Sequence, residues 1–215
     1  MVIRIGMAAR RAGLSIAEFQ SHWHDEHGPL VARFKGVKRV WQNHALLREG
    51  TPILPWPGFD ACPELEFDDL DAAKLAFSPE HYPPALRKDS AKLVDMTKSA
   101  IVFADRIHAA GAIDLRHVRL LMFMRRAPGR TQTDLNDALR VLSRASEARA
   151  REIYLPVDAP EAAENGFDAV DSQWFETVRQ AERYVISAEA GEHRNAIAHL
   201  VRGVERLIAH VRVIL

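Results

Sequence analysis

Cysteine is nearly missing from this chain. Cys62 stands alone, so no intrachain disulfide can form, and a single thiol suits a reducing compartment, which makes a cytoplasmic protein the expectation. A surplus of either charge is also missing. Lysine and arginine number 29 and aspartate and glutamate 29, so the sequence lacks the basic excess that nucleic acid or an anionic membrane requires. Long apolar runs are missing too: no stretch approaches the roughly 18 consecutive apolar residues of a spanning helix. Arg4, Arg10 and Arg11 are followed by no apolar run, so neither a secretory leader nor membrane insertion is expected. A glycine-rich phosphate loop, a dinucleotide fingerprint, a nucleophile elbow and paired cysteines are all lacking, and no nucleotide cofactor is expected. What is present is an ordinary globular balance, 47% hydrophobic and 27% charged over 215 residues, long enough for one large or two small domains.

Val2 to Ala9 is short, apolar-rich and stopped by Arg10-Arg11-Ala12-Gly13, which reads as a strand. Ser15 and Glu18 have the spacing of a capping box, with Leu14 and Phe19 at the staple positions. The helix they start should bury Ile16, Phe19 and Trp23 and end near Gly28-Pro29. Lys38 to Leu47 reads as a second strand, Thr51 to Gly58 as a loop, and Phe59 to Phe67 as a third strand that meets Asp68-Asp69 as a helix cap. A helix from Leu70 to Phe77, a helical piece after Pro84 and a strand from Ser99 to Ile107 complete a βαββαβ order, the ferredoxin-like arrangement.

The same order then recurs. His117 to Met124 is an apolar strand closed by Arg125-Arg126, Thr131 and Asp134 repeat the cap spacing, and Phe167-Asp168-Ala169 answers Phe59-Asp60-Ala61. The shared order implies a diverged tandem duplication, residues 1–108 and 115–215. The second copy has no counterpart of His24, of His27-Gly28-Pro29 or of Asn43-His44. Packing is needed in both halves, whereas chemistry needs only one.

A four-stranded sheet with both helices on one face leaves the other face to be covered. Two copies packed sheet to sheet would form an intrachain pseudo-dimeric α+β barrel with a lumen wide enough for side chains or one small ligand. Period-two alternation puts Ala61, Pro63, Leu65 and Phe67 toward the helices and Asp60, Cys62, Glu64 and Glu66 toward the lumen. By the same reasoning Arg4, and Arg119 as its counterpart, join the lumen face.

The segments His22-Trp23-His24-Asp25-Glu26-His27-Gly28-Pro29-Leu30, Trp41-Gln42-Asn43-His44 and Pro63-Glu64-Leu65-Glu66-Phe67-Asp68-Asp69 make the first half resemble the EthD-like family. The resemblance covers Met1 to about His108 and implies dimeric α+β barrels of ferredoxin-like subunits. It implies that this single chain builds internally what single-domain relatives build by dimerising, with a further homodimer left open. Fungal relatives are cofactor-free dehydratases or decarboxylases of polyketide aromatics, and the wider superfamily includes cofactorless monooxygenases, lactone isomerases and haem proteins. Fold alone transfers none of these activities.

His27 leads the candidates: it lies at a helix end before Gly28-Pro29, and imidazole titrates near neutrality, as proton transfer requires. The alternative is a histidine that caps the final helical carbonyls. His24, one turn back on the same face, is placed to share a ligand or a proton with it. Glu64 stands at the family's acidic position, where desolvation would raise its pKa toward a general acid or base, unless Arg4 forms a structural salt bridge with it. Candidate substrate-binding residues are Trp23, Arg4, Tyr82 as a roof over the cavity, and whichever of Asn43 and His44 points into the barrel. His22, His24, Asp25 and His27 crowd six residues, but His22 projects away from the His24 and His27 face of a helix, so no metal site is expected. For haem, His44 or His108 would be the nominal axial ligands, and no cofactor is expected. The leading expectation is a cofactor-independent enzyme in which His27, with His24 or Glu64, moves a proton on a small, largely apolar or aromatic molecule in elimination, decarboxylation or isomerisation. The rivals are a non-catalytic carrier of the same ligand and a cofactorless oxygenase.

Overall fold

The alternation of strands and helices closes into a ring. A computed structural model describes residues 1–54, 59–157 and 166–215; part of the loop expected over Thr51 to Gly58, residues 55–58, lies outside the described residues. In chain order the elements are β1 (Val2–Arg10), α1 (Ile16–His22), a π-helical turn (Trp23–His27), α2 (Gly28–Val31), β2 (Arg39–Ala45), a small hairpin of β3 (Leu47–Arg48) and β4 (Thr51–Pro52), and β5 (Cys62–Phe67). There follow α3 (Leu70–Ala76), α4 (Pro84–Leu93), β6 (Val94–Gly111), β7 (Val118–Arg126), α5 (Gln132–Val141), β8 (Ala150–Pro156), β9 (Ala169–Phe175), α6 (Val178–Val185), α7 (Ala188–Ile197) and β10 (Val201–Val213).

Eight strands form a closed antiparallel barrel in the order β1-β5-β2-β10-β7-β9-β8-β6. Backbone pairing of β2 with β10 and of β6 with β8 joins the two halves, so edge hydrogen bonds close the ring. Within each half the strand order is the same, β6-β1-β5-β2 and β10-β7-β9-β8. Local chemistry is matched as well. The Arg10 amide donates to Asp60 and the Arg126 amide to Asp168, while Ser15 with Glu18 and Thr131 with Asp134 form two full capping boxes.

The lumen is filled. Ile3, Ile5 and Met7 of β1 meet Ala45, Cys62, Val102, Leu121, Phe123, Tyr154, Val170 and Leu207, so all eight strands contribute to one apolar cluster. Arg119, Glu64, Glu152, Trp174 and Tyr154 add a fully buried polar layer to the same interior. The helices pack on the outside: Leu65 and Phe67 face Leu86, Ala73 and Val31, as period two requires of β5.

One parity expectation is overturned. Arg4 lies on the helix side of β1, because Ile3 and Ile5 hold the lumen side. The register explains the slip: β1 sets Ile3 opposite Glu66, and β7 sets Arg119 opposite Trp174, so Arg119 occupies the place of Ile3 and not of Arg4. Its six-residue distance from Arg10 gives Arg4 the place of Leu120 in β7.

A candidate proton-transfer cleft between helices and barrel

The first helix does not end at Gly28-Pro29. It runs from Ile16 through a π-helical turn into α2, and the Gly28 N–H donates to the Trp23 carbonyl, five residues back. Pro29 has no N–H to keep the α-helical ladder going, which lowers the cost of inserting the extra residue. Gly28 lets the turn pack closely: a Cβ there would lie 2.9 Å from Ile214 Cδ1 and 3.2 Å from Gln42 Nε2, so these side chains would have to shift.

The wide turn rearranges the histidines. Five residues on an α-helix span about 500°, which leaves His22 and His27 on divergent faces. In the i→i+5 turn they come round to the same side. Both reach Asp89 of α4: His22 Nε2 lies 2.8 Å from Oδ1 and His27 Nδ1 2.8 Å from Oδ2. Burial works to raise the Asp89 pKa, but the two imidazoles outweigh it and hold the group below the usual carboxylate range. Asp89 is therefore an acceptor, His27 carries its proton on Nδ1, and Nε2 has no hydrogen-bond partner among the described residues. Burial lowers the His27 pKa below its ordinary 6.5 despite the pull of Asp89, which makes the ring a neutral base at pH 7.

His27 lines a cavity of about 580 Å³ between the outer faces of β1, β5 and β6 and the helices above them. Trp23, Phe34, Leu65, Phe77 and Leu86 make most of the wall apolar. Its polar groups are Arg4, Tyr82, Ser90, Ser99 and Arg87, with no carboxylate among the described lining residues. The Tyr82 hydroxyl is 3.2 Å from Ser90 Oγ, and the Arg4 guanidinium lies 4.0 Å from the centre of the Phe77 ring.

Of the residues expected from the sequence, the structure brings His27, Trp23, Arg4 and Tyr82 together at this cleft. Among the described residues the barrel interior expected to hold the chamber is packed with side chains, and the cleft lies outside it. His24 turns away from His27 and meets His44 edge to face, ring centres 5.9 Å apart. His44 faces the helices, stacks on Trp23 at 4.6 Å and bonds Gln42, whose amide donates in turn to the Trp23 carbonyl at 2.7 Å. Burial drives the His44 pKa down to about 3, so the ring stays neutral. Asn43 is the member of the pair that enters the barrel, where its Oδ1 accepts from Arg119 at 2.8 Å.

Glu64 also faces the lumen, but without an Arg4 partner. Arg119 Nη1 lies 2.7 Å from it, the Tyr154 hydroxyl donates to it at 2.9 Å, and Arg39 stands 3.4 Å away. Desolvation would raise its pKa, as expected, yet Arg119 and Arg39 outweigh burial and hold it low. Cys62, beside it, has its thiol pushed up by burial and is inert.

Asp89 and Ser90 escaped sequence reasoning because α4 lies some sixty residues downstream and no spacing rule links it to the first helix. The available signal was the spacing Leu86, Ser90, Leu93, which marks the buried face of α4. The convergent metal-type group also differs from expectation: His22, Glu26 and Asp89 bring ligand atoms within 4.8 Å of one another, without His24 or His27. Both Asp89 oxygens are already bonded to imidazoles.

Compared with known proteins, residues 11–97 match the EthD domain. No curated protein matches the sequence. Among solved structures, an anthrone oxidase-like protein is 9% identical with a TM-score of 0.67, covering 99% of this chain and 93% of its own. Chlorite dismutase from Candidatus Nitrospira defluvii, in complex with imidazole, is 8% identical with a TM-score of 0.50 over 98% of this chain and 90% of its own. An EthD family protein from Bacillus halodurans is 17% identical with a TM-score of 0.34 over 49% of this chain and 98% of its own. At these identities the first two likenesses are of fold: a mixed α+β, eight-stranded antiparallel barrel. No helix of the described residues is long and apolar enough to cross a membrane.

Proposed function

We infer, from the membership of residues 11–97 in the EthD family and from the His27–Asp89 pair at the cleft wall, a cofactor-independent enzyme that moves a proton on a small, largely apolar organic substrate. The observation that carries this is an imidazole in the wall of a largely apolar cavity, with Nδ1 2.8 Å from a carboxylate oxygen and Nε2 without a hydrogen-bond partner among the described residues. Nε2 of His27 takes a proton from a carbon or oxygen acid of the substrate. Asp89 fixes the tautomer and then faces the imidazolium that forms, as an orienting carboxylate does beside a catalytic histidine. Tyr82, with Ser90 behind it, donates to the oxygen on which negative charge develops. Trp23 holds the apolar body. His24, His44, Asn43 and Glu64 have no substrate contact in this scheme.

The reading includes a duplicated architecture, with residues 1–108 and 115–215 as two ferredoxin-like repeats in one pseudo-dimeric barrel. The common strand order, the two capping boxes and the Arg10–Asp60 and Arg126–Asp168 pairs support it. The corresponding cleft of the second half, lined by Leu120, Tyr184 and His193, is only about 120 Å³, which leaves the chemistry to the first.

Anthrone tests the chemistry, since loss of a C10 proton gives an aromatic anthrolate. In D2O under nitrogen the protein should speed deuterium entry at C10. His27→Ala should return it to the buffer rate while anthrone still binds. Asp89→Asn should slow it about 100-fold, within the range of a positioned base, and move the pH limb lower, because the carboxylate that raises the His27 pKa is gone. Oxygen-dependent conversion to anthraquinone and water would extend the reading to an oxygenase. Binding with exchange unaffected by His27→Ala would overturn it in favour of a carrier.

A further inference from the structure

We propose that the cleft recognises a monoanionic carboxylate on its substrate, with Arg4 as the binding group; this rests on the proton-transfer reading and names its substrate class. Arg119, Arg151, Arg39, Arg106 and Arg10 each lie within 4.0 Å of an aspartate or glutamate. Arg4 has no such neighbour and no hydrogen-bond partner among the described residues, although it sits in the wall of a mostly apolar cavity. Its guanidinium lies over the Phe77 ring, and Tyr82 is the neighbour that works to raise its pKa. Desolvation lowers its pKa to about 10, a sign that the protein around it does not compensate the charge.

The second half supplies a built-in comparison. In β7 the place of Arg4 is held by Leu120, fully buried at the smaller cleft. The fold therefore closes without an arginine there. An unpaired cation at the larger cleft is a group left open for a ligand, and leaving it open costs stability.

The geometry selects the anion. A guanidinium presents a planar fork of donors that matches a carboxylate through two parallel hydrogen bonds. Among the described lining residues Arg4 is the one arginine or lysine committed to the cavity interior, since Arg87 is exposed and donates to the Pro79 carbonyl at 2.9 Å. One charge suits a monoanion better than a phosphate dianion. A carboxylate on Arg4 would leave the apolar body against Phe77, Leu86 and Trp23, with His27 on the same wall system.

The test is binding of matched pairs of one-, two- and three-ring aromatic acids and their neutral carboxamides, measured by calorimetry. For the pair of best fit the acid should bind at least tenfold tighter. Arg4→Gln should remove that preference, leaving the carboxamide's affinity where it was, and Arg4→Lys should restore part of it. Arg4→Met should unfold at the same or a higher temperature than the parent, as expected when an unpaired desolvated charge is removed. Equal binding of acid and amide throughout the panel, no binding of any pair, or a preference that survives Arg4→Gln would each overturn the inference. So would a clear loss of stability in Arg4→Met, which would make the arginine a structural group. Failure of the acid preference with His27-dependent exchange intact removes only the anion site; exchange absent with the preference intact removes only the proton chemistry.

Discussion

His44 illustrates how one side chain can set the acid limit of this protein. Its ring is held between Trp23, His24 and Gln42; Nε2 faces the Gln42 carbonyl oxygen, but a second proton on Nδ1 would have no acceptor among the described residues, and Arg212 adds like charge that Asp25 offsets only in part. The folded pKa of about 3 lies well below the ordinary 6.5. The unfolded chain therefore binds the extra proton, and stability rises with pH through that window and is lost as pH falls from 6.5 toward 3. His27, also lowered, acts in the same direction. Glu64, whose folded pKa is likewise depressed, contributes above 4.5 and loses that contribution at lower pH. His44→Gln, which keeps a donor for Gln42 but cannot titrate, should flatten the dependence of the urea midpoint on pH between 6 and 4. The slope removed should approach about 1.4 kcal/mol per pH unit, the value for one proton. An unchanged slope would place the acid sensitivity elsewhere.

At the level of elements, the first helix decides the site. Its start was readable, since Ser15, Glu18, Leu14 and Phe19 specify a cap and staple by local chemistry alone. Its π-helical turn was not, because an inserted residue depends on what the helix packs against: Ile214 of the far half leans on Gly28, and Gln42 bonds the Trp23 carbonyl. That single insertion separated His24 from His27 and brought His22 in. The third strand's two faces were legible from alternation, whereas β1 was not, because both Arg4 and Ile3 are compatible with either face until pairing with β5 sets the register. Pro29→Ala should let the helix relax toward the α-helical ladder and draw His27 away from Asp89. The expected result is loss of the hydrogen-bonded Nδ1 proton signal of His27 and a fall in anthrone exchange, with the unfolding midpoint little changed. Retention of that signal would make the turn independent of Pro29.

For the whole molecule, the barrel interior carries its own cost and its own specificity. Arg119 reaches Glu64, Glu152, Asn43, Ser172 and Tyr154, which lie on four strands from both halves. Arg39 and Arg106 stand around Trp41 and face Glu66, so three cations meet three carboxylates at one level of the barrel. Breaking such a set leaves an uncompensated buried charge. Arg119→Met should lower unfolding free energy by about 3–5 kcal/mol, and adding Glu64→Gln should recover part of it in urea titrations. A loss below about 1 kcal/mol would mean that water enters the layer and screens it.

Because β1 and β5 carry the core on one side and the cleft on the other, neighbours in sequence answer to separate demands. Ile3, Ile5 and Glu64 keep the ring closed, while Arg4, Pro63 and Leu65 shape what enters the cleft. A library that randomises the second set and holds the first can retune ligand choice on an intact scaffold, one strand serving two selections at alternate positions.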